Sequence, residues 1–143
     1  MKINRTATAA WSGGLKDGKG SISTESGALA AYPYGFAARF EGKKGTNPEE
    51  LLGAAHAGCF TMALSLILGE AGLTATQMDT SAKVTLEQVE GGFAITAVHL
   101  TLKARIPGTD QAKFSELANK AKAGCPLSKV IKADITLDAT LVS

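Results

Sequence analysis

A chain of 143 residues falls in the size range of one domain, residues 1–143, and is long enough to bury a continuous core without disulfide or metal staples. Its formal charge of +2 and sequence pI near 8.6, with Lys and Arg scattered from Lys2 to Lys132 and gathered on no periodic face, do not point to nucleic acid. Two cysteines, Cys59 and Cys125, are too few for the disulfide framework of a small secreted domain and read as thiols in a reducing compartment.

The N-terminal stretch MKINRTATAAWSGG is interrupted by Asn4, Arg5, Thr6 and Thr8, unlike the apolar run of a signal peptide, so the cytoplasm is the default location. Residues 1–45 read as strands separated by glycine turns. Trp11 closes the first, Asp17-Gly18 is a favoured hairpin dipeptide, and Ser21 to Glu25 and Tyr34 to Glu41 read as further strands. Asn47-Pro48 then begins a long helix, with Asn47 as N-cap, Pro48 at the first helical position and Glu50 in capping-box spacing. It is expected to run to about Ala71 and to stop at Gly72.

Ser81 to Val89 and Phe93 to Arg105 form the expected hairpin around Gly91-Gly92, Val98, Leu100 and Leu102 alternating with polar residues. Asp110 caps an amphipathic helix whose Phe114, Leu117, Ala118 and Ala121 share a face up to Gly124. A short helix from Cys125-Pro126 to about Lys132 and a strand with Ile135, Leu137, Ala139 and Leu141 inward complete the chain. Strands, long helix, strand pair, short helices and strand make an α+β fold with a mainly antiparallel sheet.

Between Leu51 and Gly69 the long helix has no ionisable side chain except His56 and Cys59. About 20 apolar residues span a bilayer, but this run holds His56, Thr61, Ser65 and five Ala or Gly before Cys59, and lacks flanking Lys/Arg or Trp/Tyr anchors. It reads as a helix buried by protein. Some 24 residues rise about 36 Å, against a diameter near 26 Å for a small domain, so a second copy is expected to cover the remainder in a homodimer.

Each thiol taken singly is most simply a small buried hydrophobe. Cys125, in GCPLS at a helix start with Lys120 and Lys122 nearby, reads as the more acidic one. Cys59 lies mid-helix in apolar surroundings and needs a cation brought to it. His56, three residues earlier on the same face, is either its partner in a Cys–His pair or, the favoured reading, a core histidine facing a hydroxyl or backbone carbonyl. Arg39, between apolar neighbours in AARFEG, calls for a carboxylate, and Glu49 in the first helical turn is the candidate. Glu49 and Cys59 are ten residues apart on one helix, about 15 Å of rise, so an Arg39–Glu49 pair acting on Cys59 is expected from the other subunit. The His and Cys spacings match no recognised zinc pattern, and GGLKDGKG lacks the strand-to-helix context of a phosphate loop.

With GTNPEELLGAAHAGCF ahead of the long helix and KAGCP bringing a second cysteine 66 positions after the first, the chain resembles the OsmC/Ohr family of thiol peroxidases over essentially its whole length. YGFAARFEGKKGTNPEELLGAAHAGCF and AKAGCPLSKVIKADITL resemble the OsmC branch (osmotically inducible protein C) more than the Ohr branch (organic hydroperoxide resistance). The resemblance implies an intertwined homodimer, its mainly antiparallel sheet packed on a long central helix, with active sites at the subunit interface. It implies Cys59 as peroxidatic cysteine, Cys125 as resolving cysteine, and Arg39 and Glu49 as the site's arginine and glutamate. It further implies reduction of organic hydroperoxides and hydrogen peroxide in antioxidant stress responses, recycling by a lipoyl-bearing protein or small dithiol, and no metal, flavin or haem. An unperturbed thiol of pKa about 8.5 is only about 3% thiolate at pH 7, so an adjacent guanidinium fits that chemistry. The rival readings are a non-enzymatic stress dimer or small-ligand-binding protein with structural thiols, and a thiol–disulfide oxidoreductase, which the absence of C-x-x-C disfavours.

Overall fold

The computed structural model describes residues 1–142, in the order β1 (Ala7–Ser12), β2 (Lys19–Thr24), β3 (Tyr32–Tyr34), α1 (Phe36–Phe40), α2 (Pro48–Glu70), β4 (Gln77–Val89), β5 (Gly92–Arg105), α3 (Gln111–Gly124), α4 (Pro126–Val130) and β6 (Asp134–Leu141). The fold is α+β, as expected. Two compact units divide at Leu51/Leu52, inside α2.

The first unit holds an antiparallel sheet in the order β1-β2-β3. Asp17 does sit in the β1–β2 turn, its carboxylate accepting the Gly14 N–H at 3.1 Å. The expected strand from Tyr34 to Glu41 is corrected: β3 ends at Tyr34 and α1 follows. Phe36, Arg39 and Phe40 have the i, i+3, i+4 spacing of a helix face, and the Phe36 and Phe40 rings meet with centroids 4.9 Å apart. Arg39 N–H closes the first turn on the Gly35 carbonyl at 3.0 Å. Among the described residues of this unit no apolar side chain is fully buried; its buried residues are Thr46 and Glu49.

The boundaries of α2 follow its sequence. Asn47 Oδ1 accepts the Glu50 N–H at 2.8 Å, an N-cap bond. The Glu50 carboxylate takes the Thr46 hydroxyl at 2.7 Å. At the other end Gly72, at φ +74°, ends the helix: Gly72 N–H bonds the Gly69 carbonyl at 3.0 Å and Leu73 N–H the Leu68 carbonyl at 2.8 Å. That is the paired bond pattern of a Schellman stop, which calls for a residue free to take left-handed backbone.

In the second unit β5 lies between antiparallel β4 and parallel β6. The registers stack inward rows across the three strands: Val84–Val98–Ile135, Ala82–Leu100–Leu137, Thr80–Leu102–Ala139 and Met78–Ala104–Leu141. A bulge between Thr85 and Leu86 ends this regular zone. Phe114, Leu117, Ala118 and Ala121 of α3 are all buried, as their spacing predicts, and Asp110 caps the helix by accepting the Lys113 N–H at 2.8 Å. From α2 come Phe60, Leu64 and Leu68, four residues apart and buried in the same core.

Gly53, on that inward stripe, lies where an added Cβ would meet the Ala82 carbonyl oxygen at 3.2 Å and the Val84 side chain at 3.5 Å. Gly53→Val forces helix and strand apart, so it is expected to lower stability by about 1–3 kcal/mol. A shift of the urea midpoint at constant m-value checks this.

Candidate active site

The arginine and glutamate meet within the first unit. Helix α1 presents Arg39 in its last turn, and the start of α2 presents Glu49, where the aligned helix amides favour a carboxylate. Arg39 Nε donates to Glu49 Oε1 and Oε2 at 3.1 and 3.3 Å, and Nη2 donates to Oε1 at 2.5 Å. This forked, charge-assisted contact fixes the guanidinium plane. The Glu49 side chain keeps 11% of its exposure and Arg39 keeps 37%, so the carboxylate is the buried anchor and the cation the exposed end. The guanidinium carbon lies 5.4 Å from the centre of the Phe40 ring. An apolar hollow of about 150 Å³, lined by Trp11, Leu15, Tyr34, Phe36, Arg39 and Phe40, opens beside it.

The two thiols meet within the second unit. Cys59 is half-buried on α2, Cys125 is fully buried at the N-cap of α4, and their Sγ atoms are 2.8 Å apart with both cysteines in the thiol form. Burial pushes the Cys59 thiol above its ordinary pKa, and the adjacent Cys125 thiol pushes it further, by their shared hydrogen bond and by repulsion between two thiolates. The Leu127 N–H, donating to the Cys59 sulfur, offsets part of this. Lys122, expected to add positive charge near Cys125, turns its ammonium to the Ile135 carbonyl at 3.3 Å instead.

His56 is fully buried one turn before Cys59 on α2, and its Nε2 lies 2.8 Å from Ser128 Oγ. The favoured reading, a core histidine facing a hydroxyl, is the one observed. Its Nδ1 is buried without a hydrogen-bond partner, and desolvation lowers its pKa. Nearby on the same helix, Thr61 Oγ1 donates to the Ala57 carbonyl at 2.6 Å and shares a 2.7 Å hydrogen bond with Thr80 Oγ1. Among the described residues no cluster of three or more His, Cys, Asp or Glu side chains is placed to hold a metal.

Residues 41–140 match the family described as OsmC-like protein. This chain belongs to the OsmC-like family. It is 58% identical over 143 residues, the full length of both chains, to the peroxiredoxin OsmC of Escherichia coli K12. It is 33% identical over 101 residues, 70% of this chain and 69% of the relative, to the organic hydroperoxide resistance protein of Xanthomonas axonopodis pv. citri. Its fold is similar to the crystal structure of the organic hydroperoxide resistance protein OhrB of Bacillus subtilis, with a TM-score of 0.68 and 30% identity over 96% of this chain and 98% of that one.

Of the four residues that the family resemblance marks, Glu49, Cys59 and Cys125 lie inside the OsmC-like match and Arg39 just ahead of it. The structure joins them as two pairs, Arg39 with Glu49 and Cys59 with Cys125. Sequence reasoning missed the Leu127 amide and Ser128; the PLS following Cys125 carries no signal by itself, since both contacts arise only when α4 docks on α2.

The His56 shift has a checkable sign. Its folded pKa lies below the unfolded value of about 6.5, so the unfolded state binds the extra proton first. Its contribution to stability is complete above pH 6.5 and is lost as pH falls from there through the folded pKa. Urea midpoints under reducing conditions are expected to decline from pH 7.5 to 5.5 more steeply in the wild type than in His56→Leu.

Proposed function

We propose that the chain is a cytoplasmic, homodimeric thiol peroxidase that reduces organic hydroperoxides and hydrogen peroxide, and that each active site takes Cys59 and Cys125 from one subunit and Arg39 and Glu49 from the other. The observation that carries this reading is the 2.8 Å approach of the two thiols from elements 66 residues apart in sequence. Cys59 thiolate attacks the distal oxygen of the peroxide, forming an S–O bond as the O–O bond breaks; the alkoxide leaves and takes up a proton as the alcohol. The Cys125 sulfur then attacks the Cys59 sulfenic acid, forming the disulfide and releasing water. An external dithiol, such as a lipoyl-bearing protein, returns the two electrons and both protons. The cycle draws its electrons from thiols throughout, so no metal, flavin or haem step enters it.

Arg39 supplies what Cys59 lacks. Burial and the second thiol oppose ionisation of Cys59, and a guanidinium beside it reverses that balance while donating to the departing alkoxide. Glu49 holds the fork in place. The hollow beside Arg39 suits an alkyl or aryl tail, which favours organic hydroperoxides.

Two features support a second copy. Opposite its buried stripe α2 exposes Ala54, Gly58, Met62 and Leu66, an uncharged face, with Met62 76% and Leu66 65% exposed. By length and composition this helix is apolar enough to cross a membrane, but its inward stripe is spent on the core of the β4–β5–β6 sheet, and a partner's helix fits the other. The β1–β2–β3 sheet buries no apolar side chain within one chain, so it too awaits a partner's surface. Helix length supports supply of Arg39 in trans: ten residues of α2 separate Glu49 from Cys59, about 15 Å of rise.

Intact-mass analysis after one equivalent of cumene hydroperoxide tests the thiol roles. Wild type is expected to lose two hydrogens as the Cys59–Cys125 disulfide, Cys125→Ser to hold a trappable sulfenic acid and Cys59→Ser to stay unchanged. Free thiols in all three after peroxide would sink the enzyme reading. Trans supply is tested by refolding Arg39→Ala and Cys59→Ser chains together. Each alone is expected to be nearly inactive, whereas a 1:1 mixture recovers about a quarter of wild-type activity, because half the dimers carry one complete site. In Arg39→Ala alone, iodoacetamide alkylation of Cys59 is expected to rise only above the ordinary thiol pKa of about 8.5, its midpoint displaced upward from the wild type's.

A further inference from the structure

Two side-chain contacts join α2 to the Cys125–Val130 segment, and they run in opposite order along the two elements: His56 with Ser128 and Cys59 with Cys125, three residues apart on each. Both are 2.8 Å. One contact changes during the peroxidase cycle, since the sulfurs pass from two thiols through a sulfenic acid to a disulfide. The other involves groups that the chemistry leaves alone.

Segment α4 is otherwise held by the Leu127 N–H, which donates to the Cys59 sulfur, and at its start by the Cys125 N–H, which bonds the Ala121 carbonyl at 2.9 Å. It is five residues long, none of them buried, with Val130 75% exposed; Leu127 and Ile131 at its end are only partly buried against the core. His56, in contrast, is fully buried with Nδ1 unpartnered, an arrangement an apolar residue would avoid. The bond made by its other nitrogen is what sets it apart. A bare Nδ1 acceptor is tolerated better than an orphaned N–H, which assigns the proton to Nε2, donating to Ser128 Oγ.

We propose that His56 and Ser128 are positioning residues for the resolving step: they latch the Cys125 segment to α2 so that Cys125 stays within bonding reach of Cys59 after Cys59 is oxidised. This rests on the peroxidase reading above. The sulfenic acid has two fates. Attack by Cys125 forms the S–S bond, breaks the Cys59 S–O bond and releases the hydroxyl with the Cys125 proton as water. Attack on a second hydroperoxide adds another oxygen, giving the sulfinic acid and a second molecule of alcohol, and that product is lost to the cycle. Closing from 2.8 Å to a disulfide of about 2.05 Å needs a movement of under about 1 Å, so a segment that drifts shifts the partition toward sulfinic acid.

The test separates the two oxidation steps. Ser128→Ala and His56→Leu are each expected to slow disulfide formation after a stoichiometric pulse of cumene hydroperoxide by about tenfold or more and to raise the sulfinic fraction under excess peroxide. In a Cys125→Ser background the same substitutions are expected to slow sulfenic acid formation far less than they slow disulfide formation, the Leu127 N–H being the one contact of α4 that bears on the first step. The double variant is expected to be no slower than either single one, and His56→Gln, which retains a donor, to recover part of the rate. Wild-type resolution rates in both single variants overturn the latch, as does an equal loss of both steps or an additive double variant. Ser128→Ala keeps the test open should His56→Leu fail to fold. A wild-type chain that forms neither sulfenic acid nor disulfide overturns the peroxidase reading itself, a different result from an active wild type with indifferent variants.

Discussion

The packing of Phe60, Leu64 and Leu68 against the β4–β5–β6 sheet fixes the rotation of this part of α2 about its axis, and His56 and Cys59 take their directions from it. Successive residues turn by about 100°, so a stripe built on Phe60 and its fourth neighbours carries His56 and Gly53 inward as well. Cys59, one residue before Phe60, emerges at the edge of the stripe, half-buried and facing Cys125. A slip of one residue would bury Cys59 in the core and turn His56 away from Ser128. The close approach at Gly53 and the Thr61–Thr80 hydrogen bond oppose such a slip at two further points.

This placement sets an electrostatic problem. The half-buried position of Cys59 holds the thiol in its protonated form, and a second thiol at 2.8 Å deepens the effect. One backbone N–H, from Leu127, works the other way. A lysine could supply charge, but its ammonium is a strongly hydrated point on a flexible stem. Arg39 offers a planar fork: the bonds to Glu49 use Nε and Nη2, which in the proposed site leaves the Nη1 edge for thiolate or alkoxide. Glu49 thus orients the cation without consuming all of its donors.

Much of the fold was legible because it is written in local chemistry. Asn47 caps α2, Gly72 stops it, Asp110 caps α3, and the apolar spacing of α3 names its buried face. The Arg39–Glu49 pair was also readable, since an arginine among apolar neighbours and a glutamate in the next helix's first turn each want the other. The segment after Tyr34 is less legible because AARF satisfies a strand pattern about as well as a helical one; the tilted Phe36–Phe40 ring contact and the Arg39 N–H bond to the Gly35 carbonyl decide for the helix. Ser128 was illegible for a different reason. Its partner lies 72 positions away, and nothing near either residue announces the other.

The thiol geometry also constrains the reductant of the proposed cycle. Joining Cys59 to Cys125 closes a loop of 66 residues, which in the chain-entropy account removes about 4 kcal/mol of freedom from the unfolded state. Because the folded chain already holds the sulfurs together, closure demands little native distortion and the disulfide strengthens the fold. The same pre-positioning works against a monothiol reductant. When one sulfur is captured as a mixed disulfide, the other remains beside it and expels the reductant faster than a second molecule arrives. A dithiol overcomes this by supplying its own second sulfur at comparable effective concentration, closing its own ring as it leaves. In the proposed cycle, tight positioning of Cys125 therefore selects for a recycling partner that carries paired thiols.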